Sequence, residues 1–255
     1  MPADFSTHDA QARFPVTHRS AVMAVGSDDP VERARSFELL VRAYWKPVYK
    51  HLRVRWNRAP EDASDLTQGF FAKAFEKRHL ATYDPQKALF RTYLRTCLDR
   101  FVMDVARGEQ REKRGGGLVK LSLDFDHAEK EMRHLGVPVA GNIEAYFDAE
   151  WTRSLLASAV EALEASCLER GKGIYFAVFQ KFVIGTDATL GGNPRPKPSY
   201  ADIARELDLS VSDVTNYLAW ARREFRTLAL SKLREITSTE DEYRMEARAV
   251  FGVDV

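Results

Sequence analysis

The stretch PSYADIARELDLSVSDVTNYLAWARREF, residues 198–225, holds two short amphipathic helices separated by the joint Asp208-Leu209-Ser210. Ser199 stands three residues before Asp202, and Ser210 three before Asp213. At that spacing a hydroxyl and an acid satisfy each other's backbone N–H groups at a helix start. Ile203 and Leu207 share one face, and Ala204 allows a close crossing. Leu209, Val211 and Val214 are expected to plug the joint, with Leu218 and Ala221 continuing the inner face. So short a joint forces a steep crossing, the geometry of a helix-turn-helix. The second helix, about 211–230, then turns Ser212, Asp213, Thr215, Asn216, Ala219, Trp220 and Arg223 outward. Together with Ser210 and Arg222 they make a candidate DNA-reading set. Hydroxyl and amide groups read base edges, and a guanidinium reaches phosphate or guanine. A capped pair of core helices without a ligand has the same local pattern, so the rest of the chain must decide.

Upstream of this pair the apolar period is helical throughout. Phe37, Leu40, Val41, Tyr44, Val48 and Leu52 recur at steps of three and four, with Pro47 expected to kink or divide that helix. PEDASDLTQGFFAKAFEKRHL, from Pro60, stacks Leu66, Phe70 and Ala74 and places Glu61 and Asp62 in its first turn, where the helix dipole favours acids. KALFRTYLRTCLDRFVMDVARGEQREKR, residues 87–114, turns Phe90, Leu94, Cys97, Leu98, Phe101 and Val105 inward and keeps Arg91, Arg95, Arg100 and Arg107 on a polar side. Three helices around one core form a first domain over 31–114, after an arm at 1–30. Residues 115–148 read as a linker with short helical pieces. Its Leu121, Leu123 and Phe125 either lie in a groove or form a short strand. Helices resume near Ala149 and carry a second domain to residue 236, with an acidic tail over 237–255 that includes a helix at about 239–250. GTDATLGGNPRPKP, residues 185–198, is a loop by composition. The expected fold is all-α, with two helical domains joined by a flexible linker.

The net charge of the 255 residues is only +1, but its distribution is uneven. Residues 91–114 carry seven bases against four acids, and 195–234 eight against five. Residues 121–150 carry seven acids against two bases, and 235–255 six against two. Separate basic faces suit nucleic acid, and the acidic spans are placed to screen them in the free protein. Tyr83 and Tyr93 are candidates for stacking on unpaired bases, whereas Phe90 and Phe101 read as core. The six histidines have no metal-ligand spacing, the two cysteines suggest neither disulfide nor metal, and neither glycine run is a phosphate loop. No catalytic residue, metal or cofactor is expected. No signal or membrane-spanning pattern is present, so a cytoplasmic protein is expected.

In this order the segments resemble bacterial RNA polymerase sigma factors of the sigma-70 class, in the short extracytoplasmic-function form. FELLVRAYWKPVYKHLRVRW looks like region 2.1 and EDASDLTQGFFAKAFEK like region 2.2, where Asp65, Gln68 and Phe71 are the most specific sign. LFRTYLRTCLDRFVMDVARGEQREKR looks like regions 2.3 and 2.4, and YADIARELDLSVSDVTNYLAWARREFRTL like region 4. DLTQGFF, KRGGG and LSLDFD resemble a long-linker subgroup.

The resemblance implies a promoter-specificity subunit that directs core polymerase to promoters and assists melting, doing no covalent chemistry itself. Glu61, Asp62, Asp65, Gln68 and Phe71 would meet the polymerase, whose β′ and β subunits are the implied partners. Tyr93, Arg95, Asp99, Arg100, Asp104, Arg107, Arg111 and Arg114 would meet the downstream promoter element as it opens. Ser210, Ser212, Asp213, Thr215, Asn216, Trp220, Arg222 and Arg223 would meet the upstream element as duplex. An anti-sigma or other regulatory protein is a further implied partner, and no membrane is. Thr215, Tyr217 and Trp220 stand where the family commonly has basic residues, and Asp99 where it often has asparagine, so those base contacts are altered here. Two alternatives remain from other classes: a stand-alone helix-turn-helix regulator, and a sigma-like protein that occupies polymerase without reading promoters.

Overall fold

The structure is a computed structural model that describes residues 20–76, 79–109, 121–135, 142–186 and 197–254. Among the described residues there are α-helices and short 3-10 turns but no strand: α1 (Ala21–Ala24), α2 (Pro30–Arg55), α3 (Pro60–Glu76), α4 (Phe90–Glu109), α5 (Phe125–Leu135), α6 (Ile143–Glu169), α7 (Gly173–Phe182), α8 (Tyr200–Leu207), α9 (Val211–Glu235) and α10 (Glu240–Phe251). The all-α expectation holds.

The start of α2 is set by Asp29, whose carboxylate accepts the Val31 N–H at 2.9 Å, with Pro30 in the first helical position. Pro47 does not divide the helix. Tyr44, Val48, Tyr49 and Leu52 are all essentially buried around it. Keeping that face packed outweighs the single backbone bond that proline removes.

The first core joins α2 to Phe70, Phe71 and Ala74 of α3 and to Phe90, Leu94, Leu98 and Val102 of α4, as the periodicity predicts. It also takes in residues from far along the chain: Phe147, Trp151 and Leu155 of α6, Leu233 of α9, and Tyr243 and Ala247 of α10. A second core gathers Leu163 and Cys167 of α6, Phe176, Val178 and Phe179 of α7, Ile203 and Ala204 of α8, and Val214, Leu218 and Ala221 of α9. Two long helices, α6 and α9, therefore pass from one core to the other. Between the cores each carries a fully buried alanine, Ala159 and Ala229, small enough for the two rods to pack closely.

Residues 121–124 have no regular structure, and Leu121 and Leu123 pack against the first core, so of the two readings of that segment the groove applies. The following α5 is fixed to α2 by charge. Glu131 bonds Lys46 at 2.7 Å and Lys50 at 2.8 Å, and Glu129 accepts the Tyr49 hydroxyl at 2.8 Å and Arg53 Nε at 2.6 Å. Lys50 is 1% exposed and also bonds Glu150 of α6 at 2.6 Å, a pair that ties α2 and α6 inside the protein. The position 148, at which the linker was expected to end, lies within α6.

Candidate polymerase and nucleic-acid interfaces

One side of α3 faces solvent without partners. Glu61, Asp62 and Asp65 are exposed and Gln68 is half-buried, and none of the four has an ion-pair or hydrogen-bond partner among the described residues. They follow the helical repeat along one stripe. Phe71 does not belong to it. Its ring is fully buried, edge-on to Phe37 at 6.2 Å and to Phe70 at 5.3 Å, so it supports α3 from inside. Two adjacent phenylalanines are both interior because α3 is wedged between α2 and α4.

The basic face of α4 divides into a covered half and an open half. Arg91 pairs with Glu246 of α10 and with Asp148 of α6 at 3.1 Å, its guanidinium lying 5.0 Å from the Trp151 ring centre. Arg95 bonds Glu144 of α6 at 2.7 Å and is only 12% exposed in its side chain. Acids from both negatively charged spans thus sit on the first two arginines, and Arg95 is not free for DNA in this arrangement. Asp99 is likewise engaged: its Oδ1 accepts Trp56 Nε1–H at 2.8 Å and lies 2.9 Å from His51 Nε2. Burial opposes its charge, but the bonds from His51 and Trp56 outweigh burial and hold its carboxyl below the usual range. Asp99 therefore braces α4 against α2.

Beyond Asp99 the helix opens. Arg100, Asp104 and Arg107 are exposed. Tyr93, Cys97, Arg100, Phe101 and Asp104 line a cavity of about 280 Å³ whose other wall is Phe70, Lys73 and Ala74 of α3, with Leu80 and Thr82 closing one end. The Lys73 ammonium lies 5.3 Å from the Phe101 ring, which is half-buried at the edge of the core. Tyr93 bonds Thr82 through its hydroxyl at 2.9 Å, which fixes its ring in the cavity wall. Tyr83, by contrast, donates to the Ala88 carbonyl and packs edge-on to Phe90. The contributions of Lys73 and Thr82 escaped the sequence reading because only tertiary packing brings them to α4. Arg111 and Arg114 lie outside the described residues.

The helix pair of α8 and α9 closes as its serines require. Ser199 and Asp202, and Ser210 and Asp213, form two complete capping boxes, and Asp208 turns the chain in the left-handed region at φ 53°. Asp213 Oδ2 takes both the Ser210 N–H at 3.2 Å and the Ser210 hydroxyl at 2.6 Å. Ser210 and Asp213 Oδ2 therefore serve the helix start. Trp220 and Tyr217 are also engaged. Tyr217 stacks on Tyr175 of α7 at 4.0 Å, Trp220 meets the same ring edge-on, and the Lys172 ammonium sits 4.0 Å from the Trp220 ring. Ser212, Thr215, Asn216, Ala219, Arg222 and Arg223 are exposed as expected. Val211, expected in the joint, is 49% exposed instead, because Leu209 and Val214 fill the joint without it.

A family model described as ECF sigma factor matches residues 24–190, a span that holds α2 to α7 and ends before α8. No curated protein matches the chain significantly, and no solved structure does. No helix among the described residues is long and apolar enough to cross a membrane.

Proposed function

The chain belongs to the ECF sigma factor family, and from that premise we propose how its surfaces divide the work of initiating transcription. Membership makes it a DNA-binding sigma factor of RNA polymerase. In our reading the Glu61, Asp62, Asp65 and Gln68 stripe docks on the polymerase β′ subunit. Its three acids are exposed and, like Gln68, uncommitted among the described residues, as a polar contact that sets register and partner choice must be.

Promoter opening falls to α4. Separating and unstacking base pairs costs a few kcal/mol per flipped base, recovered when the protein stacks the bases and holds the backbone. The cavity between α3 and α4 carries this proposal. It combines the aromatic walls Tyr93 and Phe101 with the cations Lys73 and Arg100 and the acceptor Asp104, the elements needed to hold a base and its phosphate. Arg107 extends the positive charge along the open half of α4. The helix pair α8 and α9 then docks on upstream duplex, with Arg222 and Arg223 on phosphates.

Permanganate probing of a promoter fragment bound by core polymerase and this chain tests the division. Unpaired thymines react, and Arg100→Ala is expected to reduce that reactivity about tenfold while the polymerase complex still forms. Unchanged thymine reactivity in that variant would remove α4's open half from the melting step.

A further inference from the structure

We infer that α9 is built to read A·T pairs in the upstream element, with Asn216 holding an adenine and Val211, Thr215 and Ala219 lying against thymine methyls. This rests on the reading of α8 and α9 as the duplex-docking unit and specifies its ligand.

Base edges are met by the N-terminal part of a recognition helix. There the Ser210 hydroxyl and Asp213 Oδ2 close the capping box, and Tyr217 turns back onto Tyr175. Thr215 donates its hydroxyl to the Val211 carbonyl at 2.9 Å, which leaves its methyl as the group available to a ligand. Val211 is half exposed at the first helical position. Val211, Thr215 and Ala219 follow at steps of four and form one apolar strip, and Ser212 and Asn216 run beside it at the same step. Asn216 has an exposed amide with no partner among the described residues.

The chemistry of these groups selects a base pair. An asparagine amide donates to adenine N7 and accepts from its N6 amine, and the apolar contact of valine, threonine or alanine methyls in the major groove is the thymine C5 methyl. Guanine is read chiefly by arginine or lysine, and α9 has neither before Arg222. That residue lies eleven positions beyond Val211, or about 16 Å along the helix axis. Its guanidinium also rests 5.2 Å from the Phe182 ring. Arg222 and Arg223 are thus placed for the phosphate rim, where they supply affinity without sequence.

The test is selection of bound duplexes from a randomised library by the full chain, run with and without core polymerase, followed by base-analogue substitution in the selected element. The expected result is an A·T-rich upstream element. Deoxyuridine in place of thymidine, which removes only the methyl, should weaken binding severalfold, and Asn216→Ala should lose about tenfold of the preference at one adenine. A selected element dominated by G·C pairs, or one indifferent both to deoxyuridine and to Asn216→Ala, would overturn the inference. Specific starts with core polymerase but no selected upstream bases would also overturn it while leaving the sigma function standing. A·T selection by the free chain without any polymerase complex would support it and remove the sigma function instead.

Discussion

The carboxylate of Glu242 accepts the backbone N–H of Phe90 at 2.8 Å, across 152 residues of sequence. Phe90 opens α4, whose first N–H groups have no partner within the helix. The same carboxylate takes the N–H and the hydroxyl of Ser238, each at 2.6 Å. One buried acid therefore caps α4 from the far end of the chain and fixes α10 against the first core. Beside it Glu246 pairs with Arg91, and burial leads the effects that raise the Glu246 carboxyl above the usual range.

Glu242→Ala should cost about 2–3 kcal/mol in urea unfolding, the worth of buried hydrogen bonds to a charged group. Asp241→Ala, one residue away and exposed, should change stability by less than about 0.5 kcal/mol. Equal effects of the two substitutions would show that Glu242 does not bear the cap.

The Lys50–Glu150 pair should behave as a buried ion pair. Lys50→Met leaves Glu150 without its internal cation and is expected to cost about 3–5 kcal/mol. Adding Glu150→Met should recover about 1 kcal/mol or more, because Arg153, the other partner of Glu150, reaches solvent. Additive losses in the double variant would count against the coupling.

Acid should loosen α5 from α2. The Arg53 hydrogen bond leads the effects that hold Glu129 below the usual glutamate value of 4.5. A carboxylate with a lowered folded pKa adds stability above its unfolded value, and that stability is lost as pH falls through the folded value. The urea midpoint should therefore fall below about pH 4.5, and Glu129→Gln should flatten that limb while lowering stability at neutral pH. A Glu129→Gln profile parallel to the parent's would reject this assignment.

Glu144→Ala should strengthen DNA binding by the free chain at low salt by about two- to fivefold. Glu144 is 76% exposed, so its removal frees Arg95 without disturbing the core. The gain should shrink as salt rises. An unchanged affinity at every salt concentration would mean that the acids of α6 do not screen α4.

The local signals of the sequence carried far. Serine–acid spacings placed the starts of α8 and α9, and apolar periods placed α2, α3, α4 and the alternation of buried and open faces along them. Side chains whose partners are distant in sequence were not legible. Asp99 looked like a free polar residue on a basic helix, yet His51 and Trp56 hold it from 48 and 43 positions away. Phe71 shares the motif of the exposed Asp65 and the half-buried Gln68 but points inward, a choice made by the walls on either side of α3. The first turns of α6 read as linker because the segment around Glu144 and Asp148 shows no sustained apolar period. Their order comes from Arg95 and Arg91. Val211 shows the converse case, an apolar residue assigned to the core by its type and left outside once Leu209 and Val214 had filled the joint.

The most direct test of the sigma assignment is run-off transcription with purified core polymerase on a genomic fragment library, with this chain or its Asp65→Ala and Gln68→Ala variants. Neither side chain belongs to a core, so both variants should unfold within about 0.5 kcal/mol of the parent. Specific starts that require the chain are expected, falling at least about tenfold in either variant, with loss of the polymerase complex. Starts that are absent with the parent chain, or that persist undiminished in both variants, would contradict this expectation.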